Sequence, residues 1–130
     1  MAEAPQLFRV ILQVSDIGRA STFYATLLGV PARPVSEERH YLDCGAVILA
    51  IVASGQSARP TPDYIYLAVE DIEQVYARAQ RLGCLSHEDV HGASAGEIVT
   101  RPWGERSFYV RDPFGNGLCF VDAHTVFTGR

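Results

Sequence analysis

The sequence predicts an α+β chain built from two related β-α-β-β units, each with a third hairpin strand, and two observations carry that expectation. The first is a repeat. Val10-Ile-Leu-Gln-Val-Ser-Asp-Ile17 leads to Phe23-Tyr24, Leu27-Leu28 and Gly29, and Ile65-Tyr-Leu-Ala-Val-Glu-Asp-Ile72 leads to Val75-Tyr76, Leu82 and Gly83. Val14, Asp16 and Ile17 match Val69, Asp71 and Ile72 at one offset. The second is that each copy passes from a strand into an apolar series at helical spacing that ends on glycine.

In order along the chain, the segment from Val10 reads as a strand and Asp16 as an N-cap, its carboxylate accepting a backbone N–H of the first turn. Ile17, Ala20, Tyr24, Leu27 and Leu28 recur at helical spacing. Gly29 ends that helix because glycine tolerates the left-handed conformation. After Pro31 and Pro34, Arg39 to Asp43 and Val47 to Val52 read as two strands about a tight turn at Cys44-Gly45. The polar run Ser54 to Asp63 separates the halves. In the second half Asp71 caps a helix carrying Ile72, Val75, Tyr76, Ala79 and Leu82, and Gly83 stops it. A long polar stretch follows. Ser107 to Arg111 and Leu118 to Val121 then read as a hairpin about Asp112-Pro-Phe-Gly115, which has type I turn chemistry. The expected organisation is a single domain over 1–130, with modules at 7–55 and 62–124. A half of ~60 residues leaves a sheet face bare, so halves or chains are expected to pair.

Composition bounds the function classes. The 130 residues are 48% hydrophobic and 20% charged, ordinary values for a folded domain. The longest apolar run, Ala46 to Ala53, is too short to span a bilayer and reads as a buried strand. Met1-Ala-Glu-Ala-Pro lacks a basic stretch leading into an apolar one, so a cytoplasmic location is expected. The net charge of −4 argues against nucleic acid, which attracts a basic face; it is compatible with a cationic ligand and equally with plain solubility. Cys44, Cys84 and Cys119 are an odd number without a close pair, as expected of reduced, buried thiols.

Four motifs in order carry a resemblance: Val14-Ser-Asp-Ile17 before Phe23-Tyr24 and Leu28-Gly29; Val69-Glu-Asp-Ile72; Trp103-Gly104-x-Arg106; and Asp112-Pro-Phe-Gly-Asn116 before an apolar strand. With the duplication they resemble the vicinal-oxygen-chelate superfamily of glyoxalases, bleomycin-resistance proteins and extradiol dioxygenases, over nearly the whole chain. The resemblance implies two βαβββ modules in a cupped, barrel-like mixed sheet, and a homodimer.

Family enzymes carry His, Gln or Glu metal ligands at four strand positions. In this sequence those positions fall on Arg9, Leu49, Tyr64 and Cys119. Guanidinium is cationic, leucine has no donor atom, and a lone thiol and phenol make no site for a hard metal. The resemblance therefore implies a metal-free, cofactor-free member of the bleomycin-resistance type. Arg9, Leu49 and Tyr64 would line a cavity with Trp103, Arg106 and Cys119. Arg9 suits an anionic group or a salt bridge, and Tyr64 suits a cavity wall or a core aromatic. Trp103 suits a loop aromatic laid over a ligand, with Arg106 orienting that loop.

His87-Glu-Asp-Val-His91 matches a zinc-protease string that needs a helix, but Gly83 has ended one helix and Gly92 and Gly96 prevent another. The leading expectation is a small-molecule binder that sequesters a planar or glycopeptide-like drug, or a related secondary metabolite, without breaking a bond. The alternatives are a metal-dependent lyase or dioxygenase, and metal-free catalysis with Cys119 or Tyr64. The last needs a Cys119 thiol of lowered pKa, with Arg9 supplying the charge.

Overall fold

The computed structural model describes residues 4–130, and the chain divides into two compact units, 1–59 and 60–130. In the first unit β1 (Arg9–Val14) leads into α1 (Ile17–Leu28), then β2 (Arg33–Ser36), β3 (Arg39–Cys44) and β4 (Val47–Ala53). The sheet order is β1-β4-β3-β2, with β1 and β4 parallel and the other pairs antiparallel. The second unit repeats the plan. It runs through β5 (Tyr64–Val69), α2 (Ile72–Leu82), the short hairpin β6 (Asp89–Val90) and β7 (Ala93–Ser94), then β8 (Val99–Thr100), β9 (Arg106–Arg111) and β10 (Gly117–Asp122). Its sheet order is β5-β10-β9-β8, again with one parallel pair. The result is the expected pair of βαβββ modules. The ladders form two four-stranded mixed sheets and do not close into a barrel. No helix among the described residues is long and apolar enough to cross a membrane.

Both helices start and stop as the residues dictate. The Asp16 carboxylate accepts the Arg19 N–H at 3.1 Å and the Asp71 carboxylate accepts the Gln74 N–H at 3.1 Å. Each such cap is worth about 1 kcal/mol. Gly29 and Gly83 take φ of 71° and 66° at the C-termini.

Each helix covers one face of its own sheet. In the first unit Leu12, Leu42, Leu49 and Ile51 are buried on that face. The His40 ring bonds the Ser21 hydroxyl of α1 at 2.9 Å, which fixes His40, and its partner Ile51, on the helix side. In the second unit Phe108 stacks on Phe120 and meets Tyr76 of α2 edge-on at 5.1 Å. The turn Asp112–Asn116 is closed, with its two end residues buried. The Asp112 carboxylate accepts the Phe114 and Asn116 N–H groups at 2.8 Å, and the Asn116 side chain accepts the Thr61 N–H at 2.8 Å, tying the turn to the approach of β5.

Candidate functional site

Alternation along a strand sends every second side chain to the face away from the helix. In the second unit that face carries Tyr64, Tyr66 and Ala68 from β5, Cys119 and Val121 from β10, and Ser107 and Tyr109 from β9. An open groove of about 460 Å³ lies over its Tyr66–Ala68–Val121 end. Ala68 and Val121 are paired in register and give it an apolar floor. Tyr66, Trp103 and Phe127 are aromatic walls, and Val126 and Glu105 complete the lining with Leu67. Tyr66 is 53% exposed and Phe127 51%, so two large ring surfaces stand open to solvent.

Glu105 holds the groove together. It is 8% exposed, and its carboxylate accepts the Trp103 indole N–H at 2.6 Å and the Phe127 backbone N–H at 2.8 Å. One side chain thereby pins a loop aromatic and draws the C-terminal segment across the sheet. A second anchor is the Thr125 hydroxyl, which accepts the Arg106 N–H at 3.0 Å. The His91 and Trp103 rings pack nearly perpendicular, with centroids 4.7 Å apart.

A polar track runs from the groove into the core. The Tyr66 and Tyr109 hydroxyls are 3.1 Å apart. Burial holds the Tyr109 phenol far above its ordinary range. Arg101 lies over the Tyr109 ring at 5.0 Å and is only 2% exposed. Its guanidinium bonds the Ser107 hydroxyl and carbonyl at 3.0 Å and the Ser94 and Glu97 carbonyls at 3.3 Å. Among the described residues no carboxylate lies within ion-pair distance of it. Arg101 thus fastens the segment between α2 and β8 onto β9.

The structure brings some of the expected site residues together and separates others. Trp103 is a wall of the groove, and Tyr64 and Cys119 lie on the same open face. The Tyr64 hydroxyl is committed to Glu88, donating at 2.5 Å, and Arg111 covers its ring at 4.4 Å while bonding Glu88 at 3.0 Å. Burial, then the bond to Glu88, raises the Tyr64 phenol. Cys119 is fully buried, and burial pushes its thiol up to about 11. That is opposite to the lowered thiol that a nucleophilic Cys119 requires; the charge of Arg101 acts downwards and loses to desolvation.

Arg106 stands outside the groove. It alternates with Ser107 and faces α2, where it pairs with Glu73 at 2.5 Å and with Asp122 at 3.4 Å. In the first unit Leu49 pairs with Leu42 and Val10 on the helix side and is 3% exposed. It does not share a face with Arg9, whose partner across the ladder is Ile48. His87 to His91 is loop and short strand, so the helix needed by the zinc-protease string is not there. Tyr66, Glu105, Val126 and Phe127 were not anticipated. The signals were an acid two residues past the only tryptophan and an apolar Val-Phe pair beyond the last strand.

The residues that the resemblance puts at the family's metal positions do not fit a hard divalent ion, and Leu49 faces the helix, away from the face that carries Arg9. Arg9 is cationic, Leu49 has no donor, the Tyr64 phenol is taken, and the Cys119 thiol is buried and protonated at neutral pH. Among the described residues no three His, Cys, Asp or Glu side chains gather as a metal site.

Fold and groove together define a protein of two βαβββ modules with a ligand-sized recess on the open face of one sheet. The chain belongs to the Glyoxalase/Bleomycin resistance protein/Dioxygenase superfamily, whose model matches residues 6–120. Solved structures share the fold. "Oxidase ChaP-H2" is 23% identical with a TM-score of 0.76, covering 92% of this chain and 94% of its own. A glyoxalase/bleomycin resistance protein from Albidiferax ferrireducens T118 is 22% identical at 0.71, covering 89% and 98%. Lactoylglutathione lyase from Agrobacterium tumefaciens is 15% identical at 0.69, covering 94% and 96%. No curated protein sequence matches.

Proposed function

We propose that this chain binds a small, flat, largely apolar organic molecule in the Tyr66–Trp103–Phe127 groove and sequesters it without chemistry. The observation that carries the reading is the aromatic recess fixed by Glu105. Aromatic walls supply large contact area at low entropic cost, and a prepositioned wall avoids the penalty of ordering it on binding. The Tyr66 hydroxyl gives one polar point by which such a ligand is oriented. A drug-like compound or a secondary metabolite of the kind met by bleomycin-resistance proteins fits this description, as a metal-free member of the family.

The test is a titration of bleomycin-type and other planar aromatic compounds followed by the emission of the single tryptophan and by thermal shift. Saturable quenching and a thermal shift are expected, both lost on Phe127→Ala; in Trp103→Leu, which removes the fluorophore, the loss is read by thermal shift. A flat response across the panel would sink the binder reading. A companion measurement is metal content after incubation with Mn, Fe, Ni and Zn and gel filtration. Near-zero metal per chain is expected, and close to one per chain would overturn the metal-free reading in favour of a lyase or dioxygenase.

A further inference from the structure

The open face of the first unit carries a cluster that the aromatic groove does not use. Tyr41 of β3 pairs with Ala50 of β4, which pairs in turn with Ile11 of β1. The small Ala50 lets the Tyr41 ring lean across the sheet towards β1. Its hydroxyl oxygen there accepts the Arg9 Nη1–H at 3.3 Å and the Arg39 Nη1–H at 3.0 Å. The two guanidiniums come from opposite sides of β4, and each also lies 5.8 Å from the Tyr41 ring centre. The neighbouring Arg33 is already paired with Asp43 at 2.7 Å. Among the described residues Arg9 and Arg39 have no carboxylate within ion-pair distance.

Counting donors and acceptors gives the chemistry. A phenol oxygen has two acceptor lone pairs and one hydrogen. Both lone pairs are taken by the arginines, so the Tyr41 hydrogen points away from them, and no acceptor for it is found among the described residues. Each guanidinium keeps further N–H groups. Three donors from two strands, two of them cationic, therefore surround one spot in a chain whose net charge is −4. Around it lie apolar side chains: Ile11, 48% exposed, and Phe8, over which Arg9 stacks at 5.0 Å.

We propose that Arg9, Arg39 and Tyr41 form an oxyanion site that takes the carboxylate or phosphate of a small molecule whose apolar body lies on Ile11 and Phe8. Charge-assisted hydrogen bonds from a planar fork are the strong, oriented kind that such groups select. The site is built from other residues than the Trp103 groove and is read by a different chromophore, so either proposal can fail alone.

The experiment is a calorimetric titration of phenyl phosphate into the full chain at pH 7.5 in 50 mM NaCl, with the tyrosine difference absorbance near 295 nm recorded in parallel. Benzoate and benzyl alcohol serve as comparison ligands. Saturable one-to-one binding of phenyl phosphate is expected, with weaker binding by benzoate and none by the neutral alcohol. Arg9→Gln and Arg39→Gln should each weaken it about tenfold, as loss of a charged hydrogen bond does. Arg39→Lys, which keeps the charge and loses the fork, should fall between. Arg19→Gln on α1 matches the change in charge and should leave binding intact. The absorbance change should vanish in Tyr41→Phe. Absent heat, equal binding by the arginine variants and wild type, or equal binding of benzyl alcohol would each overturn the site.

Discussion

Replacing Glu105 by alanine should both destabilise the second unit and release its tryptophan. The carboxylate is 8% exposed and accepts two N–H groups, at 2.6 Å from the Trp103 indole and 2.8 Å from the Phe127 backbone. Hydrogen bonds to a charged group contribute about 1.5–3 kcal/mol each. Both donors sit near the groove mouth and regain some water when the acid is removed, so the lower end applies and the sum is about 3 kcal/mol. Unfolding entropy is roughly 2.1 cal/mol/K per residue, or about 0.27 kcal/mol/K for this chain, so the melting temperature should fall by about 10 °C. Glu105→Gln should fall by about half as much, since a carboxamide offers one acceptor oxygen and turns its NH₂ towards the second donor. Calorimetry gives the melting temperature. The single tryptophan gives an independent signal, a red shift and greater quenching by acrylamide in the alanine variant. A drop below about 3 °C with unchanged emission would refute the idea that Glu105 pins both walls.

Three further outcomes are expected. Gly117 faces Tyr64 across the ladder, and a Cβ there would stand 2.7 Å from the Tyr64 ring and 2.8 Å from Arg111 Nη1; Gly117→Val should cost about 1–3 kcal/mol, measurable by urea denaturation, whereas Gly18→Ala, whose Cβ meets only an ordinary 3.7 Å contact, should cost nothing. Of the three cysteines, Cys84 and Cys119 are buried with thiols raised to about 11, while Cys44 is partly exposed, so Ellman's reagent should label one thiol per native chain and three after denaturation. Glu88 is held below the ordinary carboxylate range by the Tyr64 hydroxyl first and Arg111 second. A depressed carboxylate stabilises the fold above its unfolded pKa and loses that contribution as pH falls through the folded one. The gap in melting temperature between wild type and Glu88→Gln should therefore be full at pH 6–7 and shrink as pH falls below the ordinary carboxylate range; a gap that widens on acidification would contradict the assignment.

The repeat, both capping aspartates, both terminal glycines and the Asp112 turn are local chemistry, and the sequence was sufficient to read them. The errors of placement have one origin. Val47 to Val52 is apolar at every position, and Leu49, Ala50 and Ile51 are all buried, so period-two alternation is erased and the face of Leu49 cannot be assigned. Arg106 sits one residue before Ser107, and its true direction is set by Glu73, which lies 33 residues away. Val126 and Phe127 follow the last strand without periodicity, and only the distant Glu105 gives them a place. The stretch after Gly83 is polar and reads as loop, yet Tyr109 accepts the Ser86 N–H at 3.0 Å and donates its own N–H to Ala95 at 2.7 Å, giving the segment a footing on β9.

That footing makes the β6–β7 hairpin a tolerant appendage. Its two ends are held by the backbone of one strand residue and by the Arg101 guanidinium, while the tip between Val90 and Ala93 is an exposed turn with His91 at a φ of 51°. Insertions or grafts at such a tip leave the ladder beneath unchanged. Because the His91 ring packs nearly perpendicular to Trp103 at 4.7 Å, changes made there reach the groove wall. The hairpin is accordingly a place where sequence can change beside the groove wall while the sheet that carries the groove stays the same.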